Sequence, residues 1–188
     1  MANFCIQRAH TFLSLFIFLA FTYPSTVQAA SGVEIDAKVN AAIKRFYDEV
    51  DGAKELGGKS KGILVFPSVI KAGFGIGGEY GEGALRIHGK TVDYYSTAAA
   101  SIGLQLGAQA KTVILMFMAT DALKDFRNSD GWEVGVDGSV AIVTVGAGKS
   151  LDTTNMKEPI IGFIFNNQGL MFNLTLEGSK ITKIKKHS

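Results

Sequence analysis

The sequence predicts an α+β domain: a mainly antiparallel, curved or barrel-like β-sheet with one long N-terminal amphipathic helix and one short covering helix. Three observations carry this. Apolar residues step by three and four from Ile35 to Ala53, then change to a period of two for most of the remaining chain. The alternating runs follow one another without a helix between each pair, which is the pattern of antiparallel neighbours. One run, TVILMFM at 112–118, is apolar throughout, as in a strand buried on both faces.

Residues 1–29 read as a cleaved signal peptide, with Arg8 in a polar start, an apolar run at 12–21 and the small-residue pattern Val27-Gln28-Ala29. The run is about half the ~20 residues that a membrane-spanning helix needs. Cys5 lies inside this segment, so the mature chain is expected to have no disulfide and no thiolate nucleophile. Residues 30–188 are then expected to form a single domain of an exported protein.

The helix places Ile35, Val39, Ala42, Ile43, Phe46, Val50 and Ala53 on one stripe and a charge-balanced mixture of Lys, Arg, Asp and Glu on the other. Gly57-Gly58 is expected to end it. A short strand at 63–66 stops at Pro67, further strands cover 69–80 and 84–88 with a turn between them, and a long or bent strand covers 92–108. After the run at 112–118, Thr120 is the expected N-cap of a short helix that buries Ala122, Leu123 and Phe126. Strands at 133–145 and 160–165 follow, and the turn Asn166-Asn167-Gln168-Gly169 makes a hairpin with the alternating run 170–176.

Charge excludes one class of partner. The chain has 19 Lys and Arg against 17 Asp and Glu, so no global field for nucleic acid exists. The asymmetry is local: the tail at 178–188 holds Lys180, Lys183, Lys185 and Lys186 and no acid. Such a tail either touches anionic lipid, each Lys contributing about 1 kcal/mol near a charged surface, or is a solvated, frayed terminus.

Gly73, Gly75 and Gly78 spell G-x-G-x-x-G, but no helix follows them, and the pyrophosphate site of that fingerprint is a helix N-terminus. On a strand, Gly73, Gly75 and Gly77 instead form a stripe on one face, which marks either a packing seam or a ligand groove. GAGKS at 146–150 lacks the glycine a phosphate loop needs at 143, where Val143 stands. GGKS at 57–60 lies between a helix and a strand in the wrong order, as does the G-x-S-x-G match around Ser60. Asp130 and Asp137 flank GWEVGV as turn caps or a weak cation pair. The mature chain keeps only His88 and His187, so no catalytic relay, metal site or cofactor is expected.

Several segments, in order, resemble the SYLF or Ysc84-type domain, in its bacterial exported form: KGILVFPSVIKAGFGIGGEYGEGAL at 61–85, SIGLQLGAQAKTVILMFM at 101–118, FRNSDGWEVGVDGSVAIVTVGAG at 126–148 and NNQGLMFNLTLEGSKI at 166–181. The resemblance implies lipid binding; eukaryotic members bind phosphoinositides, some bind actin, and they use an amphipathic helix with basic residues at the membrane. Here YYSTA at 94–98 replaces an aromatic-x-x-Pro element and the helix face is charge-balanced, so actin is not an expected partner. The expected function is non-enzymatic binding of anionic phospholipid or a membrane surface, and the alternative is a scaffold for a protein partner. The candidate contacts are Lys59, Lys61, Lys71, Arg86, His88 and the four tail lysines, since lysines act as mobile point charges on phosphate and arginine adds a bidentate contact.

Overall fold

The computed structural model describes residues 30–144, 158–165, 176 and 178–186. The expected signal peptide, the GAGKS motif and the hairpin at 166–175 lie outside them. Among the described residues three helices, α1 (Gly32–Glu49), α2 (Ala53–Lys59) and α3 (Thr120–Asn128), accompany six strands: β1 (Gly62–Ile87), β2 (Lys90–Phe117), β3 (Trp132–Glu133), β4 (Ala141–Thr144), β5 (Ile160–Phe165) and β6 (Lys180–Ile184). The strand order is β3-β6-β2-β5-β4, with β1 also on β2, and the sheet curls into a half-barrel. Every described pair is antiparallel except β4 with β5, which is parallel.

The hairpin of β1 and β2 organises the rest. Its two-residue tip is His88-Gly89, with φ of 50° and 76°, the positive values that a tight turn needs to match the twist of its strands. Three segments expected as separate strands are one 26-residue strand, β1. Pro67 does not end it, because the register slips between Phe66 and Val69 and the extra residue forms a bulge where proline's missing N–H costs no ladder bond. Thr112 Oγ1 donates to the Pro67 carbonyl at 2.9 Å. Nor is there a turn between Tyr80 and Ala84; the strand continues to Ile87.

The glycine stripe pairs across the ladder with small residues: Gly73 faces Gly107, Gly75 faces Gly103 and Gly77 faces Ser101, with a register shift between the first two pairs. A close backbone approach lies further along β1. The two ends of β1 cross at Gly81 and Gly83. A Cβ on Gly81 would come within 2.8 Å of the Ser68 carbonyl oxygen, and one on Gly83 would overlap the Val65 carbonyl.

Two cores result. Inside the curve lie Leu64, Phe66, Leu85, Tyr95, Val113, Leu115, Phe117, Ile164 and Ile181, closed by Leu123 and Phe126 of α3. Outside it, Ile35, Val39, Ala42 and Phe46 of α1 and Leu56 of α2 cover Val65, Ala84, Ile114, Met116, Ile161 and Phe163. The run at 112–118 therefore alternates between two buried faces, as its composition requires. Phe126 anchors the inner core, with Tyr95 and Phe117 rings each at 4.9 Å and Trp132 edge-on at 5.6 Å.

The helical layer departs from expectation in two ways. The long helix ends at Glu49 rather than running to the double glycine, because Gly52 adopts φ 79°, and a second helix, α2, contains Gly57-Gly58. Gly57 has a packing reason, since a Cβ there would collide with the Tyr47 hydroxyl of α1. Second, α3 is capped by Ala119 and not Thr120, its first helical residue. The strand expected at 133–145 is also divided: Asp137 accepts from the Glu133 N–H at 2.7 Å in a turn after β3, and β4 starts only at Ala141.

Gly83→Ala is expected to force the crossing strands apart and cost on the order of 3 kcal/mol, whereas Gly58→Ala, with open space around its Cβ, should gain about 0.5–1 kcal/mol from helix propensity; urea midpoints of the two variants check both. Tyr95 supplies a pH test. Burial, reinforced by the nearby Asp93 charge, pushes its phenol up to about 12. The neutral form is the one the fold holds, so this contribution is complete below pH 10 and is lost as pH rises to about 12, at about 1.4 kcal/mol per pH unit. Its hydroxyl is buried without a hydrogen-bond partner among the described residues, so Tyr95→Phe should be close to neutral at pH 7 and flatten the alkaline limb of a stability–pH curve.

Candidate anion-binding cleft

The crossing of β1 sets its first residues beside its last, and Gly62 is close enough to the Arg86 carbonyl that a Cβ would stand 3.5 Å from it. A cleft of about 510 Å³ opens between this junction and the helices. Asn40, Ile43 and Tyr47 of α1 form one wall and Lys54, Gly57 and Gly58 of α2 another. Ser60 to Ile63 form the floor, with Arg86, His88 and Gly89 at the hairpin end.

Arg86 holds the walls together. Its Nη1 donates to the Gly89 carbonyl at 3.1 Å, and Nη2 reaches Asn40 Oδ1 at 2.9 Å and Asp36 Oδ1 at 3.3 Å. Asp36 in turn accepts from Thr91 Oγ1 at 2.7 Å and from the Tyr94 hydroxyl at 3.1 Å. Desolvation, then the hydrogen bond to Asp36, raises the Tyr94 phenol above its ordinary value, which keeps it a donor. One carboxylate thus ties α1 to both strands of the hairpin, and the charge of Arg86 is largely answered within the protein.

The lining carries Lys54, Lys61, Arg86 and His88 and no carboxylate. Lys54, Lys61 and His88 are exposed, and none has an acidic partner among the described residues. Most other cations are paired. Lys38, Lys44, Arg45 and Lys59 bond a carboxylate one helical turn away. Ser60 donates its hydroxyl to the Gly57 carbonyl at 2.7 Å, and no hydrogen bond joins it to His88.

Of the candidates from sequence, Lys61, Arg86 and His88 converge here and the others do not. Lys59 points elsewhere and pairs with Glu55 at 2.6 Å. Lys71 lies 3.6 Å from Glu79, which also takes the buried Lys111 at 2.5 Å, so it belongs to an ion cluster in the curve of the sheet. The basic end is not a free tail: Lys180–Ile184 is β6, paired with β2 and β3. Lys183 meets Asp93 at 2.5 Å and Lys186 meets Glu82 at 2.8 Å, while Lys180 and Lys185 are exposed. Gly73, Gly75 and Gly77 do not line the cleft.

Sequence reasoning missed Lys54, Asn40 and Asp36. For Lys54 a signal existed, since Val50 and Gly58 occupy the positions four residues either side and leave it without the carboxylate that Lys38, Lys44, Arg45 and Lys59 find at that spacing.

Fold and cleft together define a small curved-sheet domain with a helical flank and one basic cleft. Residues 98–187 match the family model Ysc84, the SYLF domain, described as Las17-binding protein actin regulator. No match was found among curated proteins. The matched stretch begins within β2, so the cations of the cleft, all between Lys54 and His88, precede it.

Asp36→Ala is expected to leave Arg86 without its charged partner and to cost about 2–3 kcal/mol, against about 1 kcal/mol for Tyr94→Phe, read from urea unfolding.

Proposed function

We propose that this protein is an exported, non-enzymatic binder of anionic phospholipid at a membrane surface, and that the cleft beside the hairpin tip is where the headgroup sits. The observation that carries the reading is the lining: four basic side chains, from α2, β1 and the connections on either side of β1, and no carboxylate. The match of residues 98–187 to the Ysc84 family model supports a binding role, and the signal-like segment at 1–29 supports export to the cell envelope. Among the described residues no helix is long and apolar enough to cross a membrane, which is consistent with peripheral contact. The apolar stripe of α1 is buried against the sheet, so in this conformation the membrane is met by charge and not by that helix face.

A competing reading is a protein partner. Ile70 and Tyr80, 52% and 53% exposed on β1, favour it, as apolar side chains on a surface ribbon. Salt separates the two, because headgroup attraction is screened and apolar contact is not.

Co-sedimentation with vesicles provides the test. The protein should bind vesicles containing phosphatidylglycerol, ignore neutral ones and release as salt rises. Lys54→Gln with Lys61→Gln should weaken binding about tenfold or more, at ~1 kcal/mol per lysine. Binding that survives both the double substitution and high salt would overturn the headgroup reading in favour of a protein or apolar partner.

A further inference from the structure

We infer that the cleft selects a dianionic phosphate monoester over a singly charged phosphodiester. The inference rests on the anionic-ligand reading above and narrows it. Arg86 is already committed to Asp36, Asn40 and Gly89, so it shapes the floor while contributing little net charge. Lys54 and Lys61 remain, two exposed ammonium groups on one concavity without a carboxylate among the described residues. Other unpaired lysines exist, among them Lys124, Lys180 and Lys185, but they do not line this cleft.

Two ammonium groups lining one cleft are matched by a group that carries between one and two negative charges at neutral pH and three terminal oxygens, which is a phosphate monoester. A phosphodiester has one charge and two free oxygens, and leaves one lysine unanswered. The lysines suit this division of labour, each a compact point charge on a flexible stem that closes on a separate oxygen. His88 adds a ring nitrogen at the mouth. The volume, about 510 Å³, is within the ~300–1,000 Å³ of small-ligand sites and accommodates a phosphate with its glycerol. The monoester comes from one of two sources, a phosphatidate-type headgroup or a soluble phosphate ester.

The test uses the whole protein in two arms. In the first it is titrated with phosphatidylcholine vesicles that carry phosphatidic acid or phosphatidylglycerol, adjusted to equal zeta potential. In the second it is titrated by calorimetry with glycerol 3-phosphate and with glycerophosphocholine. Binding to phosphatidic acid should be about tenfold tighter than to phosphatidylglycerol, a difference of one charge at close range, and Lys54→Gln with Lys61→Gln should remove that preference. Glycerol 3-phosphate binding without vesicle binding supports the monoester site with a soluble source and sinks the membrane reading. Equal affinity for the two vesicle types, with no binding of glycerol 3-phosphate, overturns the inference and leaves the anionic-surface reading standing. No binding in either arm overturns both.

Discussion

Two stretches of one strand pass each other with no room between them for a methyl group, and the rest of the molecule follows from that crossing. Gly81 and Gly83 let the far end of β1 lie against the backbone of Val65 and Ser68, which turns a flat hairpin of 26- and 28-residue strands into a curved one. Curvature creates an inside and an outside, and each needs its own apolar cover. The inside is filled by aromatic rings around Phe126, and the outside is covered by α1 and α2. The same crossing brings Lys61 and Gly62 beside Arg86 and His88, residues that are 24 or more positions apart along the chain, so the cleft is a direct product of backbone sterics.

How far the sequence foretells this differs by level. Periodicity identified which residues are buried: the stripe of α1, the doubly buried run at 112–118 and the helix with Leu123 and Phe126 are all where the pattern places them. It is silent on where a chain meets itself. Gly81 and Gly83 look no different in sequence from Gly73, Gly75 and Gly77, because the need for glycine at the crossing arises from a neighbour some 15 residues away in the chain. The breaks were misplaced for the same reason. Gly57-Gly58 is a stronger local stop signal than the single Gly52, but Tyr47 packs against Gly57 and holds it in a helix, and the Phe66–Val69 bulge lets β1 run through Pro67.

The site was legible in part. Lys61, Arg86 and His88 flank strand ends and were found by their charge, though nothing in the sequence shows that they converge. The tail lysines stand out by density alone, yet Lys183 and Lys186 are drawn into pairs with Asp93 and Glu82, acids that stand about a hundred residues away and are invisible to any local count. What distinguishes Lys54 and Lys61 among the unpaired lysines is that they share one concavity, a property of the folded surface. Arg86 is the opposite case, a conspicuous cation whose charge is turned inward by Asp36.

The boundary of the family match carries a consequence for how the molecule could be divided. A fragment starting at residue 98 would cut β2 in two, remove β1 altogether and discard both flanking helices. Val113 and Leu115 would lose Leu64 and Phe66 on one side, and Ile114 and Met116 would lose Phe46 and Leu56 on the other. The matched stretch is therefore shorter than the packed unit, whose helical cover reaches back to the Ser31 cap that opens α1.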